Sequence, residues 1–340
     1  MSENATYRLA NTTILSVSAL EAPQVVSSAE LDESLAPAYA RHGVKAGQIE
    51  RLAGVVQRRW YPPEADYTDG AVDVGRAAMA DAGVEAGEIG LVINASVTRP
   101  YLEPGISARV HHELGLPRRA IAFDLTNACL GVANAMHVAG TMIDAGQIDN
   151  ALIVASEGSR QMQESSIKYL LSDDSTREDV KEAFATMTLG SGAVGLVLGR
   201  SDARPDGHRV IGGVTRAGSE HHTLCVGGMD GMRTDSSRLF REGLTLATEA
   251  WKDARGDFDW DDMDWYVAHQ TSTIHIEALC KTLGLPQERF PMTLPTYGNI
   301  GPVAMPYTLA FHQDNIERGQ RVLLMGIGSG LNTSMTEVAW

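Results

Sequence analysis

The stretch DLTNACLGVANAMHVAG, residues 124–140, sets one cysteine, Cys129, between a strand-like run and a helix-like run, followed at once by Leu130 and Gly131. A helix starting at about Cys129 would lay the sulfur over exposed main-chain N–H groups, and the positive helix end favours thiolate over thiol. The small neighbours Ala128 and Gly131 permit a tight turn and the approach of a substrate, which a nucleophile on a strand-to-helix turn requires. A small buried thiol filling a gap fits the same letters, so this stretch alone leaves both readings open. Cys280, in EALCKTLGL, has the spacing of a core helix position. Cys225 follows His221 and His222 in SEHHTLCVGG, but no fourth ligand is in view, and no metal site is expected.

A thiolate attacking an acyl group needs companions. VAHQTS puts His269 just past an apolar strand, at the carboxyl end where ligands gather in a parallel sheet. YGNIGP puts Asn299 between glycines, and MGIGSG supplies Gly328, Ser329 and Gly330, a turn whose N–H groups can face an oxyanion. Each has an ordinary alternative: a histidine closing a sheet, an asparagine holding a turn, plain turn glycines. The closing GxGxG is not a dinucleotide fingerprint, because no βαβ unit with an acidic residue follows it.

The elements that must position these residues alternate regularly. GAVDVGRAAMADAGV reads as a helix and EIGLVINAS (88–96) as a buried parallel strand. Residues 105–116 read as a helix, AIAFDLT as a strand, 129–145 as a helix and NALIVASEG as a strand. The second half repeats this order: helix over 237–254, strand over 264–270, helix in TIHIEALCKTLGL, turns in PTYGNIGP, helix in VAMPYTLAFHQDNIERG, strand in QRVLLMGIGSG. Strands alternating with helices predict a mainly parallel α/β sheet with helical layers, built as a pseudo-repeat. LLSDDSTREDVKEAF (170–184) reads as a solvated loop and helix, with a mobile lid as the alternative.

The chain has 340 residues, 28 Lys and Arg against 43 Asp and Glu, and a formal net charge of −15. Such a surface repels nucleic acid and anionic membranes and weakly disfavours an acidic carrier protein. Three cysteines without CxxC spacing predict a reducing compartment. The polar opening MSENATYRLANTT resembles no signal peptide, and no apolar run of membrane-spanning length is present, so a cytoplasmic location is expected.

Together, Cys129 in NACLGV, His269 in HQTS, Asn299 in GNIGP and the closing GIGSGLN resemble the thiolase-fold condensing enzymes, in particular the Cys-His-Asn group that includes ketoacyl-ACP synthase III. The resemblance runs over nearly the whole chain. It implies the five-layer αβαβα thiolase fold with two pseudo-repeated halves, each with a mixed sheet: 1–200 carrying the cysteine and 201–340 carrying His269 and Asn299. It also implies a homodimer. The surroundings of Glu103, LEP…RVHHELG, further resemble the OleA group, which condenses acyl chains head to head for long-chain olefins. There a glutamate at this position reaches into the partner subunit's site as base. Thr271 departs from that pattern, standing where a smaller or apolar residue is usual, and the stretch after GSGLN differs in detail.

The implied mechanism is a Claisen condensation of two long-chain acyl-CoAs. Cys129 takes the first acyl group, with main-chain N–H groups of Cys129 and Ser329 as oxyanion hole. Glu103 of the partner deprotonates the second acyl-CoA, and His269 and Asn299 bind its thioester oxygen. Hydrolysis gives a 2-alkyl-3-keto acid. No cofactor is implied beyond coenzyme A, which is part of the substrate. Arg58 and Arg59 in QRRWYPP are candidates for the CoA phosphates, with ordinary surface arginines as the alternative. Downstream olefin-pathway enzymes are possible partners. The alternatives are a synthase III-like enzyme that condenses an acyl-CoA with a malonyl carrier, where Glu103 is incidental, a hydroxymethylglutaryl-CoA synthase-like enzyme, and a non-catalytic acyl-CoA binder.

Overall fold

The computed structural model describes residues 6–340; the first five residues of the polar opening segment lie outside it. The strands are β1 (Thr6–Arg8), β2 (Thr12–Glu21), β3 (Gln24–Ser27), β4 (Gln57–Trp60), β5 (Ile89–Asn94), β6 (Ile121–Asp124), β7 (Asn150–Glu157), β8 (Gly192–Arg200), β9 (His208–Ala217), β10 (Cys225–Gly228), β11 (Gly231–Thr234), β12 (Trp265–Ala268), β13 (Arg321–Gly328) and β14 (Asn332–Ala339). The helices are α1 (Ser28–His42), α2 (Asp69–Ala82), α3 (Ile106–Glu113), α4 (Gly131–Asp144), α5 (Arg160–Leu171), α6 (Arg177–Glu182), α7 (Phe184–Met187), α8 (Ser236–Ala254), α9 (Thr273–Leu283), α10 (Leu294–Tyr297) and α11 (Ala304–His312).

Strand order shows the duplication. In the first half it runs β6-β5-β7-β8-β2, in the second β12-β13-β14-β9. The senses match: β5 is parallel to β7 as β12 is to β13, and the next two pairings are antiparallel in both halves. The two half-sheets meet where Thr13 and Ile14 of β2 pair with Arg209 and His208 of β9.

Period-two alternation along the strands builds the layers. In β7, Ala151, Ile153 and Ala155 face a central core, while Leu152 and Val154 face the packing of α2 and α3. In β13, Val322 and Leu324 face the same central core, while Leu323 and Met325 pack with α8 and α9. The central core is filled by α4 and α11, so the layers run helix, sheet, helix, sheet, helix. Cys280 packs in the outer core beside Leu279 and Ile276, as its helical spacing predicts. A fourth apolar cluster joins Leu31 and Leu35 of α1, Leu170, Ala183 and Met187 into a lobe at the end of the sheet that carries the site. Among the described residues no helix is long and apolar enough to cross a membrane.

Candidate active site

β6 ends at Asp124 and α4 begins at Gly131, so Cys129 sits on the turn itself, two residues before the first helical residue rather than at the helix start. Ala128 holds a left-handed φ of 45°, unusual for a residue with a side chain. Leu130 N–H donates to the Asn127 carbonyl (2.9 Å) and Gly131 N–H to that of Ala128 (3.2 Å), closing the turn. Two glycines let it seat. A Cβ on Gly131 would come within 2.5 Å of the Ala95 carbonyl oxygen, and one on Gly328 within 3.3 Å of the Cys129 main-chain nitrogen. The GIGSG segment, with Ser329, is thereby brought against the cysteine.

Cys129, His269, Asn299 and Ser329 line one cavity of about 960 Å³ with largely apolar walls, a size suited to a small organic ligand. His269 continues β12 by one residue, its N–H donating to the Met325 carbonyl (2.7 Å). Its ring is 3% exposed, and neither ring nitrogen has a protein partner. Burial, then the neighbouring His275, lower its pKa to about 3, so it is neutral at physiological pH. Gln270 beside it braces the next segment: its carbonyl oxygen accepts from Thr293 and Leu294 N–H (3.0 and 2.9 Å), and its amide donates to the Pro291 carbonyl (2.9 Å). Asn299 bridges to strand-like Leu189, and its side-chain oxygen accepts from Gly301 N–H (3.0 Å). That commitment fixes the amide rotamer and leaves its NH2 as the free donor.

Burial pushes the Cys129 thiol up to about 12, with Cys225 and Glu157 adding in the same direction. The sequence reading expects the opposite shift. Loss of water around the sulfur, together with Cys225 and Glu157, outweighs the helix end and favours the thiol over the thiolate.

Arg58 and Arg59, the expected CoA-phosphate candidates, are not among the cavity's lining residues. They lie on β4, which pairs with β3. Arg58 is fully buried and donates to Ser28 Oγ (3.0 Å) and the Met187 carbonyl (2.8 Å), while burial lowers its pKa to about 10. Arg59 pairs with Glu21 (2.8 Å). The cations at the cavity's rim are instead Lys45, Arg177 and Lys181. Lys181 pairs with Glu178 (2.7 Å), whereas Lys45 and Arg177 are exposed and make no ion pair among the described residues.

The segment 170–184 is wall as well as surface: Leu170, Val180 and Phe184 face the cavity between charged residues that face water. Cys225 faces it too, from the β10–β11 hairpin. Glu103 lies on an exposed loop and is not among the cavity's lining residues. The residue that sequence reasoning missed is Glu157, buried in the cavity wall at the end of β7. Its signal was available: in NALIVASEG the carboxylate continues the apolar strand, ahead of the glycine where the strand ends.

A cysteine-bearing turn, a buried imidazole and an amide donor, held by two topologically equivalent half-sheets, define a thiolase-type condensing enzyme. Comparison with known proteins agrees. The model of the thiolase N-terminal domain matches residues 64–193, and that of the 3-oxoacyl-[acyl-carrier-protein] synthase III C terminal matches residues 254–340. An acyl-CoA:acyl-CoA alkyltransferase of Xanthomonas campestris pv. campestris is 37% identical over 97% of this chain and 99% of its own. The cerulenin-bound crystal structure of Xanthomonas campestris OleA superposes with a TM-score of 0.96 at 36% identity, covering 98% of each chain. A structure described as 3-oxoacyl-(acyl carrier protein) synthase III from Xanthomonas oryzae superposes with 0.95 at 36% identity, over 98% of this chain and all of the other. Further structures of the Xanthomonas campestris OleA carry a substituted cysteine, histidine or glutamate, one of them with bound lauric acid and lauroyl-CoA. The chain belongs to the acyl-CoA:acyl-CoA alkyltransferase family of thiolase-fold enzymes.

Proposed function

We propose that this chain joins two long-chain acyl-CoAs by Claisen condensation without decarboxylation. The carrying observation is the cavity that holds Cys129, His269 and Asn299 together within apolar walls. Cys129 takes the first acyl group, its proton leaving with the departing CoA thiolate, while main-chain N–H groups of Cys129 and Ser329 hold the thioester oxygen. Neutral His269 and the Asn299 amide donate to the oxygen of the second thioester and stabilise its enolate; one such donor is worth roughly 3–4 kcal/mol. Removing the α-proton requires a base, and Glu103 of a second subunit is our candidate. Two facts support it. Glu103 stands beside Leu102, which is 92% exposed, and is not among the lining residues of its own subunit's cavity. The glutamate and cysteine substituted in the Xanthomonas campestris structures are also as far apart along that chain as Glu103 and Cys129 are here. Attack of the enolate on acyl-Cys129 returns the thiolate, and hydrolysis of the condensed thioester releases the second CoA. Lys45 and Arg177 at the rim are suited to the CoA phosphates.

The test supplies one long-chain acyl-CoA and no malonyl donor. Two CoA released per ketone formed from the keto acid, lost in Cys129→Ala and Glu103→Ala, is the expected result. Release stopping at one CoA per site until a malonyl carrier is added would instead favour the synthase III reading, which the match of the C-terminal family model keeps in view.

A further inference from the structure

The loop that carries Glu103 is bracketed by two carboxylates. At its start, Glu157 accepts from two successive main-chain groups, Val97 N–H (2.6 Å) and Thr98 N–H (3.1 Å). At its end, Asp124 does the same for Ile106 N–H (3.0 Å) and Ser107 N–H (2.9 Å) at the first turn of α3. Glu157 differs from Asp124 in lining the cavity beside Cys129, and a Cβ added at Gly301, next but one to Asn299, would meet its carboxyl carbon at ordinary van der Waals distance, 3.9 Å. One buried carboxylate thus holds the root of the Glu103 loop, in the wall that also holds Cys129.

We propose that Glu157 is a positioning residue for the second half-reaction: by clamping Val97 and Thr98 it fixes the loop that presents Glu103, while taking no part in acylation of Cys129. The inference rests on the condensation reading. An amide cannot replace the carboxylate, because Gln offers one oxygen for two donors and turns its own NH2 towards the other. Burial raises the Glu157 pKa to about 7, with the two N–H groups and Arg99 opposing. Cys129, Tyr61 and Tyr67 are the other titratable groups that feel its charge. Its anion also opposes formation of the Cys129 thiolate, so neutralising it should not slow acylation.

The test separates the two half-reactions in Glu157→Gln and, at the loop's far end, in Asp124→Asn. Both should release one CoA per site at no less than the wild-type rate, and both should lose condensed product by about 100-fold, the cost of a misplacement on the ångström scale. Main-chain amides of Val97, Thr98, Arg99, Tyr101, Leu102 and Glu103 should exchange faster in both. Wild-type condensation in Glu157→Gln overturns the proposal, as does loss of the CoA burst in step with the product while thermal stability is kept. Should either variant fail to fold, wild-type exchange decides: Val97 and Thr98 amides exchanging as fast as the tip at Leu102 also overturn it. A wild-type enzyme that makes no product from acyl-CoA alone sinks the condensation reading instead, and the burst and exchange data stay readable.

Discussion

His269 owes its neutral state to burial, and so does His275, lowered to about 4. An unfolded histidine titrates near 6.5. Between that value and the folded ones the unfolded chain binds more protons, so stability rises with pH through this window and falls on acidification. Each ring contributes up to about 1.4 kcal/mol per pH unit below 6.5. Glu157 runs the other way: the native state keeps its proton up to about 7, while the unfolded carboxyl loses it near 4.3, so acidification between those values returns stability. His208, lowered to about 4, and His137 and His312, also lowered by burial, add to the same side, so the imidazoles outweigh the one carboxyl and leave a net loss. The thermal midpoint should drop from pH 7 to pH 5, less steeply in His269→Asn and more steeply in Glu157→Gln. A flat wild-type profile would contradict this account. The same neutral ring predicts that His269 adds no limb to the rate profile in that range.

At the scale of elements, the strand-to-helix turn at Cys129 depends on close approach. Gly131→Ala drives a methyl into the Ala95 carbonyl, where backbone must yield. We expect a loss of about 1–3 kcal/mol, read as a lower denaturant midpoint, and a slowed CoA burst because the turn moves with its helix. A full-rate burst would show that the turn tolerates the shift. Much of this architecture was legible in the letters. Apolar runs of strand length separated by helical spacing gave the repeat, and Cys129, His269 and Asn299 each fell at the end of a strand or between glycines. The turn itself was blurred, because Ala128 adopts its left-handed conformation under tertiary constraint. Arg58 was misread because only its pairing on β4 turns it inward, where it serves main-chain carbonyls. In 170–184 the charged letters concealed Leu170, Val180 and Phe184, whose shared face is created by packing against the lobe.

For the whole molecule, the proposal that Glu103 acts in trans has an arithmetic consequence. Co-expressed Cys129→Ala and Glu103→Ala subunits, each inactive alone, should assemble at random so that about half of the dimers are mixed, each with one intact site, recovering roughly a quarter of wild-type activity. A base acting within its own subunit gives no recovery. Exposed Tyr101, Leu102 and Ile121 lie on and beside that loop, the apolar surface such an assembly would cover. Finally, α4 and α11 fill the core between the two half-sheets, and both the cysteine turn and the asparagine turn are their leading ends. Cys129 and Asn299 are thus seated ahead of helices packed between two sheets, and the lobe of α1, α5, α6 and α7 supplies further walls of the cavity. Substitutions in those walls should retune which acyl chains are accepted without disturbing how they react.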